Sequence, residues 1–275
     1  MKFAKVLSAV LLLACLGSLA AQVQKTAGPE WQALIKKADG LYGQSDFARA
    51  LEAGKRALEI AEKDVGPDHP DVARSLHSVA SCLVALGRNA EAEPLLKRSL
   101  AIAEKAFGHD SPQVASETYF LARLYSNQGR YAEAEPLFKL SLAITEKTVG
   151  SEAFEVAGVL FNLANLYVLQ DRYAEAEPLC RRSLRIMEKT LGPDRPEVAD
   201  VLDFLANIYA SQGSFAAAEL YFQRALAIRE KALGPDDPHV AASLEVLARL
   251  CRATERPKEA EELEARVARI RSIKR

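Results

Sequence analysis

Apolar and small residues follow two alternating helical patterns along most of the chain. The first pattern places them at positions i, i+3, i+4 and i+7, as in Leu160, Leu163, Ala164 and Tyr167. This spacing is typical of one stripe of an amphipathic helix. The second pattern starts after a short turn and keeps its own alanine, leucine and isoleucine positions from copy to copy. Together the two patterns predict pairs of helices and an all-α fold without strands.

The helix pairs repeat with a period of 42 residues. Glycines stand at this interval in the connecting turns, and the string YAEAEPL occurs both at Tyr131–Leu137 and at Tyr173–Leu179. One helix pair cannot bury its own apolar face, so repeated pairs stack and cover one another. We therefore expect one solenoid over residues 22–275 with no further domain boundary. The predicted pairs are 31–63, 70–105, 112–147, 154–189, 196–231 and 238–270.

The turn residues predict where individual helices end and begin. Gly87, Gly129 and Gly213 follow the first helix of their pairs, where glycine can take the left-handed conformation without a Cβ clash. Between pairs, the turn GPDRP contains Asp194, which we expect to cap the next helix, and Pro196, which we expect in its first turn.

The first 21 residues differ from the repeats. Lys2 and Lys5 precede a short apolar run, which is followed by small residues up to Ala21. This pattern predicts a secretory signal peptide at residues 1–21, and therefore a periplasmic or secreted protein. The stretch Leu12–Cys15 also resembles a bacterial lipoprotein cleavage box, after which Cys15 would carry lipid. Soluble export and a lipid-anchored envelope protein both fit the sequence.

Charge and hydropathy limit the partners that the chain can bind. Lys and Arg total 36 against 37 for Asp and Glu, so there is no excess positive charge to neutralise nucleic acid. No segment approaches the roughly 20 apolar residues that an integral membrane span needs. We expect neither a nucleic-acid partner nor a membrane span.

The sequence contains no pattern that predicts catalysis. Metalloprotease, serine hydrolase and nucleotide-binding motifs do not occur, and the carboxylates mostly recur with the repeat, as Glu91, Glu133 and Glu175 do. The cysteines beyond Cys15 have no metal-ligand spacing, and Cys82 and Cys251 fall at apolar helix positions. We expect no enzymatic activity, no cofactor and no metal.

The order L-x-x-L-A-x-x-Y, then G, then Y-x-x-A-E-P-L, then L-G-P-D-x-P resembles the tetratricopeptide repeat in its 42-residue, kinesin-light-chain-like form. The resemblance covers roughly Ala38 to Ala268. It implies a right-handed α-solenoid of stacked antiparallel helix pairs that binds proteins or peptides. The chain lacks the long heptad segment that precedes the repeats in kinesin light chains, so the resemblance implies a fold and a mode of binding rather than a motor subunit.

The resemblance also implies which residues line the concave groove. In the family, asparagines on the first helices hold the backbone of an extended peptide, a role that Asn165 and Asn207 match, and Asn162 resembles the additional asparagine of the kinesin-light-chain pattern. An amide can donate to a carbonyl and accept from an N–H at once. Arginines at the same register would bind carboxylates. The predicted groove consists of His77, Ser81, Tyr119, Arg123, Phe161, Asn162, Asn165, Asp203, Asn207, Glu245 and Arg249.

Each groove residue also has a structural interpretation. Phe161 could pack between repeats, the arginines could pair with nearby acids, and the asparagines could brace a neighbouring helix. Three functions fit the sequence. The first is a module that binds an extended peptide or partner protein in its groove. The second is a scaffold that assembles complexes through its convex face or its end helices. The third is a saccharide binder that uses Tyr119, Phe120 and Phe161 as stacking surfaces.

Overall fold

A computed structural model describes residues 26–273 of the chain. Within that range it contains twelve α-helices and no strand, which confirms the all-α prediction. The helices form six pairs in which neighbouring helices pack against each other. The predicted signal peptide, residues 1–21, and Cys15 lie outside the described residues.

The helices divide into two compact units, one ending at Ser151 and the other beginning at Glu152. Each unit contains three helix pairs, and we call the members of a pair its first and second helix. The N-terminal unit contains α1 (Pro29–Gly43), α2 (Phe47–Val65), α3 (Pro70–Ala85), α4 (Asn89–Phe107), α5 (Pro112–Asn127) and α6 (Tyr131–Val149). The C-terminal unit contains α7 (Phe154–Val168), α8 (Tyr173–Leu191), α9 (Pro196–Ser211), α10 (Phe215–Leu233), α11 (Pro238–Ala253) and α12 (Pro257–Ile273).

The repeated string places alanine at the closest helix contacts. The second alanine of the AEA segment is fully buried in the second helices, and its counterparts in α10 and α12 are buried in the same way. A methyl side chain lets two helices approach closely while still excluding water. These alanines are Ala92, Ala134, Ala176, Ala218 and Ala260, each 0% exposed.

Buried serines add a recurring hydrogen bond within the helix pairs. The Ser99 hydroxyl of α4 donates to the Ala73 carbonyl of α3 at 2.9 Å. Ser141 donates to the Ala115 carbonyl at 2.8 Å, again from a second helix to a first helix. Ser183 in α8 makes the same bond to α7. The donor in each pair is satisfied, so the polar group can remain in the core.

Arginines in the turns link successive helix pairs. The Arg130 guanidinium lies 3.9 Å from the ring centre of Tyr125 and 2.7 Å from the carboxylate of Glu93. The same side chain also pairs with Glu133, one of the recurring carboxylates. Hydrogen bonds from Arg130 and Lys97 lower the pKa of Glu93 to about 2. These recurring carboxylates therefore serve the structure, as their periodicity predicts.

The expected cap at Asp194 is wrong. Helix α9 begins at Pro196, so the capping position falls on Arg195, whose side chain makes no capping hydrogen bond. Asp194 lies one residue too early, and its carboxylate instead pairs with Lys231 at the end of α10. In the next turn Asp237 does occupy the capping position, and it accepts from the backbone N–H of His239 at 2.8 Å.

Candidate peptide-binding face

The first helices of each unit carry the predicted groove residues, and the two units are described in turn. In the N-terminal unit, His77 on α3 is buried, with its Nδ1 atom 3.0 Å from a carboxylate oxygen of Glu117 on α5. The ring of Phe120 packs edge-on against His77 at 4.2 Å. His77 therefore joins two first helices and contributes little surface to a ligand.

The ionisation of His77 reflects two opposing effects. Burial lowers its pKa, but the negative charge of Glu117 and the hydrogen bond to it outweigh burial, so the pKa is raised above its usual value. The charge of Asp39 acts in the same direction as Glu117, and the charge of Arg74 opposes it. Each of the two side chains compensates the charge of the other, so both can be buried at the predicted groove.

Tyr119 and Arg123 form one cluster on α5. Tyr119 is 0% exposed and packs edge-on against Phe120 and Phe138. The half-buried Arg123 guanidinium lies 5.7 Å from the Tyr119 ring centre and 5.8 Å from that of Phe120. Tyr119 thus offers no surface on which a sugar or a base could stack. Ser81, one turn along α3, is half-buried.

A small cavity in the N-terminal unit is lined in part by the pair His77 and Glu117. It has a volume of about 190 Å³ and lies between α3, α5 and the end of α4. A cavity of this size accommodates about one side chain, and its lining offers both charges and an aromatic ring. The polar and aromatic lining residues are Asp71, Arg74, His77, Phe107, Gln113, Ser116 and Glu117.

In the C-terminal unit an aromatic pair and two amides lie on the first helices. The rings of Phe161 on α7 and Phe204 on α9 are 4.8 Å apart, and both side chains are half-buried. The Asn162 amide donates to the Gly158 carbonyl at 2.9 Å, and the Asn207 amide donates to the Asp203 carbonyl at 2.7 Å. The Asn207 amide keeps its oxygen as an acceptor.

The acidic groove residues are neutralised within the fold. Asp203 lies 2.6 Å from Arg229 of α10, which also pairs with Asp200 at 2.8 Å. Burial raises the pKa of Asp203, and the positive charge of Arg229 only partly offsets this effect. Glu245 is likewise paired, with Arg271 of α12. The acidic patch expected from the sequence is therefore a set of ion pairs.

Three predicted groove residues of the C-terminal unit share one register and have side chains that are at least partly accessible to solvent. They are Asn165 on α7, Asn207 on α9 and Arg249 on α11, each 42 residues after the previous one. Asn165 is half-buried, whereas Asn207 and Arg249 are exposed. Among the described residues, the side-chain amide of Asn165 has no hydrogen-bond partner and the Arg249 guanidinium has no ion-pair partner. Successive helix pairs thus present an amide, an amide and a guanidinium.

Several residues that shape the face were not identified from the sequence. Glu117 stands where the other repeats carry alanine, serine or valine, and Arg229 stands where every repeat but the last carries a small or uncharged residue, so a charged residue at a core position was the available signal. Phe204 occupies the repeat position that Asn162 occupies 42 residues earlier. This correspondence did not indicate that the Phe204 ring would pack on Phe161.

One group in the C-terminal unit has the spacing of metal ligands. Ligand atoms of Glu219, Cys251 and Glu259 lie within 4.8 Å of one another. However, Arg256 donates to Glu219 at 2.6 Å and to Glu259 at 3.2 Å. Burial raises the pKa of the Cys251 thiol, which disfavours the thiolate that a metal needs. The guanidinium already neutralises these carboxylates, so the residues fit an ion-pair cluster better than a metal site.

Among the described helices, none is both long and apolar enough to cross a bilayer.

Several solved structures share this arrangement of helix pairs. BtubC (BKLC) from P. vanneervenii is 24% identical, with 88% of this chain and 91% of BtubC covered and a TM-score of 0.69. A putative kinesin light chain from Podosopora anserina with nearly identical TPR-like repeats is 26% identical, with 75% and 98% covered and a TM-score of 0.64. PilW, a type IV pilus biogenesis factor, is 20% identical, with 88% and 93% covered and a TM-score of 0.66. The likenesses to BtubC and PilW show the fold alone.

The family to which the chain belongs follows from its repeats. No curated protein sequence matches the chain. The tetratricopeptide repeat model matches residues 32–105, 76–147, 155–231 and 204–272, which together span nearly all of the described helices. With the 42-residue period and the six helix pairs, these matches show that the chain belongs to the tetratricopeptide repeat family.

Proposed function

We propose that this protein holds an extended segment of a partner protein along its first helices. Tetratricopeptide repeat proteins are generally interaction modules without enzymatic activity. The observation that carries the proposal is the register of Asn165, Asn207 and Arg249, which places one polar group per helix pair on the same face. Amides can bind a main chain whatever its side chains are, and a guanidinium can bind a carboxylate.

The aromatic pair beside this register supplies the apolar part of the site. Phe161 and Phe204 are each half-buried, so part of each ring is available to an apolar side chain of the partner. The partner segment would contact the amides through its main chain and the rings through one side chain. Because main-chain contacts do not depend on the partner's side chains, the site would bind a partner segment in which few residues are specified.

Site-specific photo-crosslinking in the native host tests the proposal. A photoreactive residue at position 165 or 207 should capture the same partner, because both positions lie on the binding face. A matched control at Arg181, an exposed position on the second helix α8, should capture none of it. Capture at 181 as efficient as at 165, or none at 165 and 207, would refute binding on the first helices.

Substitution of the same residues separates binding from folding. The combined change Asn165→Ala, Asn207→Ala and Arg249→Ala should weaken partner capture at least tenfold, a loss typical of removing several contacts at the centre of an interface. Circular dichroism should show unchanged helicity, since Asn207 and Arg249 are exposed and Asn165 is half-buried. Full capture by a folded triple variant would contradict the proposal.

We also propose that the protein is exported to the cell envelope. The support is the sequence of residues 1–21, with its basic start, its short apolar run and its small residues before the repeats. The intact mass of the mature chain distinguishes cleavage near Ala21 from a lipid on Cys15. A mature chain that retains Met1 or Lys2 would contradict export.

A further inference from the structure

The end face of the C-terminal unit keeps the ion pair and one alanine of the face that receives α11, but it carries Glu264 in place of Phe222 and Ala268 in place of Leu226. Asp203 and Ala206 of α9, with Phe222, Leu226 and Arg229 of α10, form that earlier face. The residues 42 positions later form the corresponding end face, on α11 and α12. It consists of Glu245, Ala248, Glu264, Ala268 and Arg271.

In the earlier face these residues contact α11. Phe222 belongs to the same apolar cluster as Leu247, and Leu226 packs against a cluster that contains Leu244. Arg229 pairs with Asp203 at 2.6 Å and also donates to the Ser243 hydroxyl at 2.8 Å. The ion pair between a first and a second helix is therefore completed by a hydroxyl from the next helix.

The same ion pair is present on the end face. Arg271 of α12 pairs with Glu245 of α11, as Arg229 does with Asp203. The Arg271 side chain is 66% exposed, whereas that of Arg229 is 11% exposed. Among the described residues no hydroxyl reaches Arg271. The Arg229 guanidinium, which α10 directs at α11, thus has a counterpart on α12 in Arg271, which is exposed to solvent.

A cavity of about 530 Å³ lies on this end face. Val267 and Ala248 form its buried floor, and Arg249 and Arg271 stand at its rim. The cavity exists partly because Ala268 replaces the larger Leu226 of the earlier face. Arg249 adds a positive charge that has no ion-pair partner among the described residues.

We infer that the end face between α11 and α12 binds an amphipathic helix of another protein. The helix would lie where α11 lies on α9 and α10, which makes the new contact continuous with an interface already used in the fold. A large apolar side chain would fill the space above Ala268. A serine or another acceptor would meet Arg271, and a carboxylate would meet Arg249. This surface shares Arg249 with the proposed binding register but contains neither Asn165 nor Asn207, so Ala268→Arg alters the end face while the three register residues stay unchanged.

A peptide copied from α11 tests the inference, because α11 is the helix that the homologous face accepts. The probe is residues 238–253 with Cys251→Ser, stapled on its solvent side to hold it helical. We expect saturable binding to the full chain by fluorescence polarisation. Ala268→Arg should weaken it about tenfold, because the long side chain fills the cavity. Arg269→Ala changes an exposed residue of α12 that pairs with Asp236 instead, and it should leave binding unchanged.

A second measurement covers the case in which the free peptide binds too weakly to detect. A copy of residues 234–253 appended after Arg275 should raise the unfolding midpoint of the chain. The same extension with Leu244→Asp and Leu247→Asp in the copy should not. No peptide binding together with no stabilisation would refute the inference, as would binding that Ala268→Arg leaves unchanged. Concentration-dependent self-association of the unmodified chain that Ala268→Arg abolishes would identify a second copy as the occupant instead.

Discussion

At the scale of single residues, the pair formed by His77 and Glu117 makes stability depend on pH. The pKa of His77 in the folded chain is raised above 6.5 because Glu117 lies 3.0 Å away. A group whose pKa is higher in the folded than in the unfolded state contributes its full stabilisation at pH values below the unfolded-state pKa. This contribution is lost as pH rises through the folded-state pKa. The stabilisation by the pair is thus present below pH 6.5 and is lost as pH rises through the raised pKa of His77.

The variant Glu117→Gln should abolish this pH dependence or reverse its sign, because burial, which lowers the pKa of His77, is then opposed only by the charge of Asp39. Without the carboxylate the pKa of His77 is no longer raised, so the variant should lose about 2 kcal/mol relative to the parent at pH 6. The difference should shrink as pH rises. Urea unfolding between pH 5.5 and 8.5 measures it. A difference that stays constant over this range would show that the pair contributes no proton-linked stability.

Ser141 tests the recurring serine bond on the same scale. Its hydroxyl is buried and donates to the Ala115 carbonyl at 2.8 Å. Ser141→Ala should cost about 1 kcal/mol of unfolding free energy, the usual net value of such a bond. Ser126→Ala, at a half-buried position near the end of α5, should change stability by no more than about 0.5 kcal/mol. Equal effects of the two changes would argue against a contribution from the bond.

At the scale of helices, the turn inside each pair depends on one residue with a positive φ angle. Gly213 takes φ 77° after α9, and the equivalent position after α11 is Glu255, with φ 59°. Asp171 and Ser45 occupy the same position after α7 and α1. A side chain with a Cβ atom is strained in this conformation, whereas glycine is not.

Glu255→Gly should therefore stabilise the C-terminal pair. Removing the strain gains roughly 1–2 kcal/mol, and the larger entropy of glycine in the unfolded chain offsets about 0.5–1 kcal/mol of it. We expect a net gain of about 0.5–1 kcal/mol, seen as a higher thermal midpoint. The reverse change, Gly213→Ala, should lower the midpoint. A lower midpoint for Glu255→Gly would show that Glu255 makes contacts that outweigh the strain.

At the scale of the whole molecule, the fold was predictable because the repeat presents the same signal many times. The spacing of Leu160, Leu163 and Ala164 recurs in the first helices from α3 onward, with Thr118 in place of the first leucine in α5, so an error in one copy does not change the prediction. The cap at Asp194 was mispredicted because it depends on one residue and a shift of one position. Local turn geometry lacks the redundancy of the helical stripe.

The candidate face was less predictable because its residues depart from the repeat. Tyr119 and Asp203 occupy one register position, yet Tyr119 is buried among aromatic rings and Asp203 pairs with Arg229, 26 residues away. That register lies at the border between core and groove, where a neighbour on another helix decides the orientation. Periodicity gives the register of a residue and leaves its neighbours undetermined.

The division into two units makes a prediction about folding. Each unit contains three helix pairs, and an array of about three repeats is the least that buries a continuous core. In the N-terminal unit one cluster brings Trp31, Leu76 and Ile102 together from three different helices. A fragment of residues 22–151 should therefore fold alone. It should be helical by circular dichroism and should unfold in one cooperative transition.

A shorter fragment supplies the matched control for this prediction. Residues 22–107 keep the same cluster but only two helix pairs, and they leave the buried Ala103 without Val114 and Ala115 of α5, with which it clusters. Because stability in repeat arrays is approximately a sum of terms from repeats and their interfaces, the fragment should unfold at a lower urea concentration than residues 22–151. Equal midpoints would show that α5 and α6 add no stability to the pairs before them. A fragment of residues 22–151 without cooperative unfolding would show that three pairs are too few in this chain.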